Sequence, residues 1–349
     1  MSHTLVVRPD NAGDVLLAGP AVRAAADGSD RVTMLAGPNG AEAARLLPGV
    51  DEVLEWRCPW IDPAPDPVRK TDVDSLVETL ASTAVDRALV LTSFHQSPLP
   101  TALLLRMAGV PWIGAISVDY PGSLLDLRHH VDDLLPEPER ALSLARAAGF
   151  ELPEGDTGLL GVHRPLPEVS GLVPEGPFVV LHPGTSVPAR AWPAERYAAT
   201  CRLLGDEGRT VVVTGAPSET DLTAVVAAGT PAVDLGGRTS LAELASVLDA
   251  AEVVVVGNTG PAHLAAAVGT PVVSLFAPTV PAVRWAPYRV PTVLLGDQHA
   301  VCRDTRVTRC PFEGHPCLSS VRPEEVVLAV GELGSEPQPP LRTSGGRSS

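Results

Sequence analysis

The stretch NTGPAHLAAAVGTPVVSLFAPT, from Asn258 to Thr279, decides the fold class of this chain. Four consecutive valines, Val253–Val256, precede it and predict a strand that is buried on both faces, as strands of parallel sheets are. Gly257 and Gly260 allow a tight turn, and Pro261 suits the first turn of a helix, where its missing N–H costs nothing. The stretch therefore predicts a strand, a turn, a helix and a second strand, which is the repeating unit of an α/β sheet.

The same alternation of strand and helix patterns occurs in two halves of the 349-residue chain. The first half opens with the strand pattern Thr4–Arg8 and has helix patterns at Asp14–Ala26 and Pro138–Gly149. The second half opens with Phe178–Gly184 and closes with a helix near Pro323–Leu333. Strands that alternate with helices predict two doubly wound, mainly parallel sheets of the α/β class.

Composition along the chain predicts the domain boundaries. Residues 1–155 form one Rossmann-like domain, the Pro- and Gly-rich residues 156–176 form a linker, and residues 177–333 form a second Rossmann-like domain. Residues 334–349 have almost no apolar side chains, which predicts a disordered tail. Because ligands of such sheets bind outside the carboxyl ends of the strands, we expect the site in a cleft between the two domains.

The charge balance limits the partners of the protein. The net charge is −15, from 26 Lys and Arg against 41 Asp and Glu, and no run of basic residues is present. An extended nucleic-acid surface is therefore excluded, although a helix N-terminus with one or two arginines still suffices to bind a diphosphate.

The start of the chain and its cysteine count predict a cytoplasmic protein with at most peripheral membrane contact. Arg8 and Asp10 interrupt the N-terminus before a signal-peptide core can form, and no apolar run approaches the roughly 18 residues of a spanning helix. The five cysteines are an odd count without a secretion signal, which argues against a disulfide framework.

The turn after Val253–Val256 is a candidate phosphate site. The N–H groups of Thr259 and Gly260 would lie at the positive end of the helix dipole, and His263, one turn further on, would reach the same anion. The residues alone do not decide between phosphate binding and a tight turn with a surface histidine.

Three further strand ends carry candidate groups. In HPGTSVPARAWP, Thr185 and Ser186 offer hydroxyl groups, and Arg190 offers a planar fork for phosphate. Glu219 lies in a first helical turn, where it either accepts a ribose hydroxyl or stabilises the helix. Asp14, in RPDNAGD, is a candidate general base, although a helix N-terminal carboxylate is the reading that the residues alone favour.

Two other stretches contain candidate site residues. Trp56–Lys70, which contains Arg57, lines an acceptor site or forms a solvated loop, and the loop is favoured. Cys302, Cys310 and Cys317 have the spacing C-x7-C-x6-C, whereas structural zinc sites use two tight pairs, so reduced thiols are favoured over zinc. The sequence has no G-x-G-x-x-G after its first strand and no P-loop, so it predicts no nicotinamide or P-loop site.

Five ordered stretches together resemble glycosyltransferase family 9, the ADP-heptose:lipopolysaccharide heptosyltransferases. They are LVVRPDNAGDVLLAGPAVRAA, SFHQSPLPTALLLRMAGVPWIGA, LHPGTSVPARAWPAERYA, VVVTGAPSETDL and GNTGPAHLAAAVGTPVVSLFAPT. A cysteine-containing end, CPFEGHPCLSSVRPEEVVLAV, is similar as well, and the resemblance covers roughly residues 4–333.

The resemblance implies a GT-B fold, with an acceptor-side N-terminal domain and a nucleotide-sugar-binding C-terminal domain. It implies inverting transfer of a heptose-like sugar from an ADP-sugar to a hydroxyl of a glycan, a lipid or a small molecule, without a metal or other cofactor.

The resemblance also assigns roles to individual residues. It implies that Asp14 is the base, that Glu219 contacts the ribose, and that Arg190 stands where the family usually has lysine. Asn258 stands where many members have aspartate. It places Thr259, Gly260 and His263 on the diphosphate-binding turn. The candidate donor-binding residues further include Asn258, Thr185 and Ser186, and the candidate acceptor-side residues are Gly13, Arg57 and His95.

Two alternatives stay open at this point. A sugar-nucleotide epimerase on a similar fold would turn over its substrate without an acceptor, and a non-catalytic binding protein would consume no donor. Asp14 favours catalysis over mere binding, because a binding protein needs no base.

Overall fold

The computed structural model describes residues 1–132 and 134–335, so the predicted tail, apart from Gly334 and Ser335, lies outside the described residues. The chain divides into two compact units, each built on a six-stranded parallel sheet. The predicted α/β class with doubly wound sheets is confirmed.

The first unit contains residues 1–161 and the segment Val283–Tyr288. Its strands are β1 (His3–Arg8), β2 (Arg31–Ala36), β3 (Glu52–Glu55), β4 (Arg87–Val90), β5 (Trp112–Ile116) and β6 (Leu127–His129), in the order β3-β2-β1-β4-β5-β6. Its helices are α1 (Ala12–Leu17), α2 (Gly19–Asp27), α3 (Ala41–Leu46), α4 (Lys70–Thr83), α5 (Leu99–Met107) and α6 (Glu137–Ala147).

The second unit contains Val162–Ala282 and the chain from Arg289 onward. Its strands are β7 (Phe178–His182), β8 (Thr210–Val213), β9 (Val233–Asp234), β10 (Val253–Gly257), β11 (Val272–Leu275) and β12 (Thr292–Leu295), in the order β12-β11-β10-β7-β8-β9. Its helices are α7 (Ala194–Asp206), α8 (Thr220–Ala227), α9 (Leu241–Ala250), α10 (Gly260–Val268), α12 (Pro316–Ser319) and α13 (Pro323–Gly334). The short helix α11 (Ala282–Trp285) begins at Ala282 of this unit, and its other three residues belong to the first unit.

The central strand of each sheet explains why these sequences fold as parallel sheets. All residues of β1 and of β10 are buried, and each strand pairs on both sides with parallel neighbours. Apolar runs that are buried on both faces are typical of parallel sheets covered by helices. The carboxyl ends of β7, β8, β10 and β11 therefore share one edge of the second sheet.

One predicted helix forms as two. The pattern Asp14–Ala26 becomes α1 and α2, which are separated at Ala18. Pro20 stands in the first turn of α2, and its ring and missing N–H do not allow the first helix to continue through it. By contrast, Ser240 with Glu243 three residues later is the sequence pattern that predicts a capping box at the start of a helix. The box is present in α9, with Ser240 and Glu243 bonded to each other's backbone N–H groups.

The stretch between the domains has turns but no helix or strand over residues 151–176. Arg23 donates to both carboxylate oxygens of Asp156 in the first unit, at 2.6 and 3.0 Å. Arg164 pairs in the same way with Asp249 in the second unit, at 2.6 and 3.0 Å. Bidentate ion pairs thus hold the predicted linker at its first residue, Asp156, and near its middle, at Arg164. The segment Val283–Tyr288 of the first unit lies inside the stretch predicted as the second domain.

Within the part of the chain that the structure describes, no helix combines the length and the apolar character that crossing a membrane requires.

Candidate functional site

The turn between β10 and α10 carries the candidate phosphate-binding residues. Thr259 precedes α10 with extended backbone, and its N–H donates to Gly257 O at 2.9 Å. Thr259 would therefore offer a ligand its hydroxyl group rather than its N–H. His263 is buried, at 5 % exposure, so it is not the surface histidine of the alternative interpretation.

Asn258 fixes the shape of this turn. Its Nδ2 donates to Ala277 O and its Oδ1 accepts from Ala277 N, both at 3.4 Å, and the residue is buried. The side chain thereby joins the end of β10 to the chain that follows β11. Both polar atoms of the Asn258 side chain bond the backbone of Ala277, so the side chain has a structural role in holding the turn.

Arg190 lies beside the same turn. It ends a short 3-10 helix, Pro188–Arg190, that follows β7, and its Nη1 donates to Asn258 O at 3.4 Å. Thr185 and Ser186 precede this helix, and Thr185 Oγ1 accepts from Val187 N at 3.3 Å. The structure therefore brings a predicted phosphate-binding cation to the predicted phosphate-binding turn.

Glu219 lies at the neighbouring strand end. Its Oε2 accepts from Ala216 N at 2.8 Å and lies 3.9 Å from His182 Nε2. A Cβ atom at Gly184 would lie 2.1 Å from the carboxylate of Glu219, so only glycine allows this carboxylate to cover the loop after β7. The loops after β7 and β8 thus meet at a carboxylate.

His182 stays neutral under this carboxylate. Burial lowers its pKa to about 4, and its Nδ1 lies 2.9 Å from Thr214 Oγ1. Because the imidazole is neutral, it does not form an ion pair with Glu219, and the Glu219 carboxylate can accept a hydrogen bond from a ribose hydroxyl.

In the first unit, the candidate base Asp14 is held by Arg8. Arg8 Nη2 donates to Asp14 Oδ1 at 2.9 Å and to Ser93 Oγ at 3.1 Å, and its Nε lies 3.2 Å from Asp10 Oδ2. Burial alone would lower the pKa of Arg8, but its acidic neighbours raise it above the usual range. Asp10 is bonded in turn by Gln96 Nε2 at 2.7 Å. The side chain of Asp14 stays 24 % exposed, so a substrate hydroxyl can reach it.

Glu137 provides a buried carboxylate close to Arg8, which the sequence does not predict. Glu137 is 3 % exposed and lies within 3.9 Å of Arg8, 3.8 Å of Arg140 and 3.9 Å of Arg284. Burial raises the pKa of Glu137, and Arg8, Arg140 and Arg284 oppose that rise. Arg284 comes from the segment Val283–Tyr288, so no local motif could have indicated this cluster.

The three predicted acceptor-side residues make separate contacts in the structure, and none of these contacts joins one of them to another. Gly13 is buried in α1, and His95 is exposed with its ring 5.5 Å from that of Phe94. Arg57 pairs with Asp62 at 2.7 Å, within its own loop. The acceptor-side assignment of these residues stays a prediction.

The three C-terminal cysteines lie near one another as thiols. Cys302 and Cys317 are buried, and burial together with the Cys302 thiol raises the pKa of Cys317 to about 12. Over residues 1–132 and 134–335, no three His, Cys, Asp or Glu side chains are arranged as ligands of a metal ion.

The comparison with protein families decides the family. The family model described as glycosyltransferase family 9 (heptosyltransferase) matches residues 73–315. The chain belongs to glycosyltransferase family 9. The family predicted from the sequence, and with it the assignment to the glycosyltransferases, is confirmed.

One curated relative matches a shorter part of the chain than the family model does. Lipopolysaccharide heptosyltransferase 3 of Escherichia coli is 33 % identical over 116 residues, which are 32 % of this chain and 34 % of that protein. The chain thus matches about a third of the length of this curated relative.

Two solved heptosyltransferase structures share the fold over nearly their whole length. The E. coli ADP-heptose lps heptosyltransferase II has a TM-score of 0.73 at 22 % identity, covering 96 % of this chain and 98 % of that one. The E. coli heptosyltransferase WaaC with ADP-2-deoxy-2-fluoro heptose has a TM-score of 0.68 at 21 % identity, covering 95 % and 99 %. The predicted GT-B fold is therefore confirmed.

Proposed function

We propose that this family 9 protein is an inverting, metal-independent glycosyltransferase that moves a heptose-like sugar from an ADP-sugar to an acceptor hydroxyl. The acceptor would be a glycan, a lipid or a small molecule. The observation that carries the proposal is the meeting of Arg190 with the turn Asn258–Gly260 at the edge where Glu219 also lies.

The donor would bind along this edge of the second sheet. Arg190, the Thr259 hydroxyl and the N-terminal end of α10 would bind the diphosphate, and His263 lies one turn further along the same helix. Glu219, beside neutral His182, would accept a hydrogen bond from the ribose. The WaaC relative was solved with an ADP-linked fluoro-heptose, which supports an ADP-linked donor here.

The chemical step would be a direct displacement. Asp14 takes the proton of the acceptor hydroxyl, and the oxygen forms a bond to the anomeric carbon while that carbon's bond to the diphosphate oxygen breaks. Attack from the face opposite the diphosphate inverts the anomeric centre. The electron pair leaves with the diphosphate, and Arg190 and the α10 dipole would stabilise its charge.

Arg8 would set the position of the base. Its contact with Asp14 at 2.9 Å leaves one carboxylate oxygen, Oδ2, for the acceptor hydroxyl. Because Ser93 accepts from the same Nη2 at 3.1 Å, the guanidinium has little freedom to turn away.

A donor screen tests the proposal. Binding of ADP, GDP and UDP is measured by thermal shift, and sugar transfer from ADP-heptose to lipid and glycan extracts is followed by mass spectrometry. We expect ADP to stabilise the protein, and Asp14→Asn to reduce transfer at least about 100-fold while ADP still binds.

Four outcomes would contradict the proposal. Stabilisation by UDP alone would contradict the assignment of an ADP-linked donor, and full transfer by Asp14→Asn would contradict the role of Asp14 as the base. Turnover of the sugar nucleotide without any acceptor would instead indicate the epimerase, and ADP binding without donor consumption would indicate a binding protein. The cytoplasmic location stays a prediction.

A further inference from the structure

The segment Cys302–Cys317 has no role in the proposed reaction, yet it contacts the donor edge of the second sheet. Asp304 N–H donates to Pro278 O at 2.9 Å, and Arg306 N–H donates to Thr279 O at 2.8 Å. Pro278 and Thr279 follow Ala277, the partner of Asn258. The segment is therefore bonded to the loop that fixes the phosphate-binding turn.

The same segment holds the short helix that carries Arg190. Ala189 N–H donates to Thr308 O at 3.0 Å, and His315 Nε2 lies 3.0 Å from Ala189 O. A carbonyl oxygen only accepts, so His315 Nε2 carries the proton and donates it. Both backbone polar groups of buried Ala189 are thus satisfied by this segment, one residue before Arg190.

The backbone of the segment is strained where it makes these contacts. Asp304, Arg306 and His315 have positive φ values of 60°, 58° and 50°. Left-handed backbone is uncommon for residues other than glycine and persists where the surrounding structure enforces it. The N–H groups of Asp304 and Arg306 and the ring of His315 supply three of the four bonds to the donor loops.

The two ends of the segment are fixed in the core. Cys302 and Cys317 are 4 % and 1 % exposed and belong to the hydrophobic cluster that contains Val273 and Leu275 of β11. With both ends anchored, the residues between them are held against the loops at the edge of the sheet.

We propose that His315 is a positioning residue for the donor diphosphate, acting through Ala189 on the guanidinium of Arg190. Its hydrogen bond holds the helix Pro188–Arg190 in the place where Arg190 reaches both Asn258 O and a bound diphosphate. Without this bond the helix has to be ordered when the donor binds, which weakens binding. The inference rests on the proposed function, because it requires a nucleoside diphosphate at Arg190.

Calorimetric titration with ADP and with adenosine tests this role in the full-length protein. We expect His315→Ala to raise the Kd for ADP about tenfold, the effect of one lost hydrogen bond. The Kd for adenosine should stay within about twofold of wild type, because adenosine has no phosphate for Arg190 to bind. His315→Gln should recover most of the ADP affinity, since its amide nitrogen can donate in place of Nε2.

Two further variants complete the experiment. His315→Asn tolerates the positive φ, but its shorter amide does not reach Ala189 O, so it should lose ADP affinity even if His315→Ala does not fold. His299→Ala changes an exposed histidine just before the same segment and should bind both ligands as wild type does.

The outcomes separate the inference from the proposed function. If wild type binds ADP and the Ala and Asn variants bind it equally well, the positioning role is wrong and the proposed function stands. If the variants lose ADP and adenosine to the same extent, His315 supports the whole site and the specific role is again wrong. If wild type binds neither ADP, GDP nor UDP, both proposals fail.

Discussion

Asn258 and Ala277 form a reciprocal pair, in which the side-chain amide donates to the backbone carbonyl and accepts from the backbone N–H, both at 3.4 Å. An amide can do both, whereas an ionised carboxylate accepts and does not donate. The resemblance to family 9 places Asn258 where many members have aspartate. In this chain the residue is buried and joins two strand ends.

Replacing Asn258 by aspartate should therefore destabilise the protein. The variant leaves Ala277 O without its donor and brings a carboxylate into a buried position, which costs about 1–3 kcal/mol of unfolding free energy. Urea denaturation at neutral pH measures this difference. Asn39→Asp, at an exposed position, is the matched control and should leave stability within about 0.5 kcal/mol of wild type. Equal stability of Asn258→Asp and wild type would show that the pair contributes nothing.

His182 should make the protein less stable in mild acid. Burial lowers its pKa to about 4 in the folded state, whereas the unfolded value is 6.5. The unfolded chain therefore binds the extra proton, and stability falls as the pH drops from the unfolded value toward the folded one. Between pH 7 and pH 5 this difference amounts to about 2 kcal/mol.

Comparing His182→Gln with wild type isolates the contribution of His182. Urea denaturation of both proteins at pH 7 and pH 5 should show a smaller loss of stability for the variant, because glutamine does not titrate. His163→Gln, at an exposed position, should keep the wild-type pH dependence. An identical pH dependence of His182→Gln and wild type would mean that His182 is protonated in the folded protein without cost.

Local signals in the sequence predicted local structure well. Ser240 and Glu243 form their capping box because the motif is contained within one helical turn. The strand, turn and helix around Asn258 were predicted for the same reason, since Val253–Val256 and Gly257 define them without distant contacts.

Contacts between distant parts of the chain were not predicted. Glu137 meets Arg284 only because Val283–Tyr288 returns to the first unit, and neither residue stands in a recognisable motif. His315 meets Ala189 through a strained segment whose path no periodicity describes. The sequence thus indicated which turns form the site, and tertiary packing determined which residues hold them.

Glu137→Gln should strongly destabilise the first unit. The carboxylate lies within 3.9 Å of three arginines, Arg8, Arg140 and Arg284, all buried. Removing the charge leaves buried guanidinium groups less compensated, and breaking a buried pair in this way costs about 3–5 kcal/mol. Urea denaturation followed by tryptophan fluorescence measures the change. Glu42→Gln, at an exposed helical position, should cost less than about 0.5 kcal/mol, and a similarly small change for Glu137→Gln would show that the cluster is solvated in solution.

Gly184→Ala should displace the carboxylate that would bind the ribose. A Cβ atom at this position would lie 2.1 Å from the Glu219 carboxylate, closer than any real contact allows, so Glu219 must move away from Ala216 N. We expect the Kd for adenosine to rise about tenfold, the effect of losing one hydrogen bond to a charged group. Calorimetric titration measures this Kd, and Glu219→Gln should raise it as well.

Gly205→Ala is the matched control for this substitution. Gly205 lies in α7, and a Cβ atom there would meet no heavy atom within 4 Å. Alanine is the better helix former, so this variant should bind adenosine as wild type does and gain up to about 1 kcal/mol of stability. If Gly184→Ala binds adenosine with wild-type affinity while Gly205→Ala behaves as expected, Glu219 does not contact the ribose, and the nucleoside must be bound by other residues of the same edge.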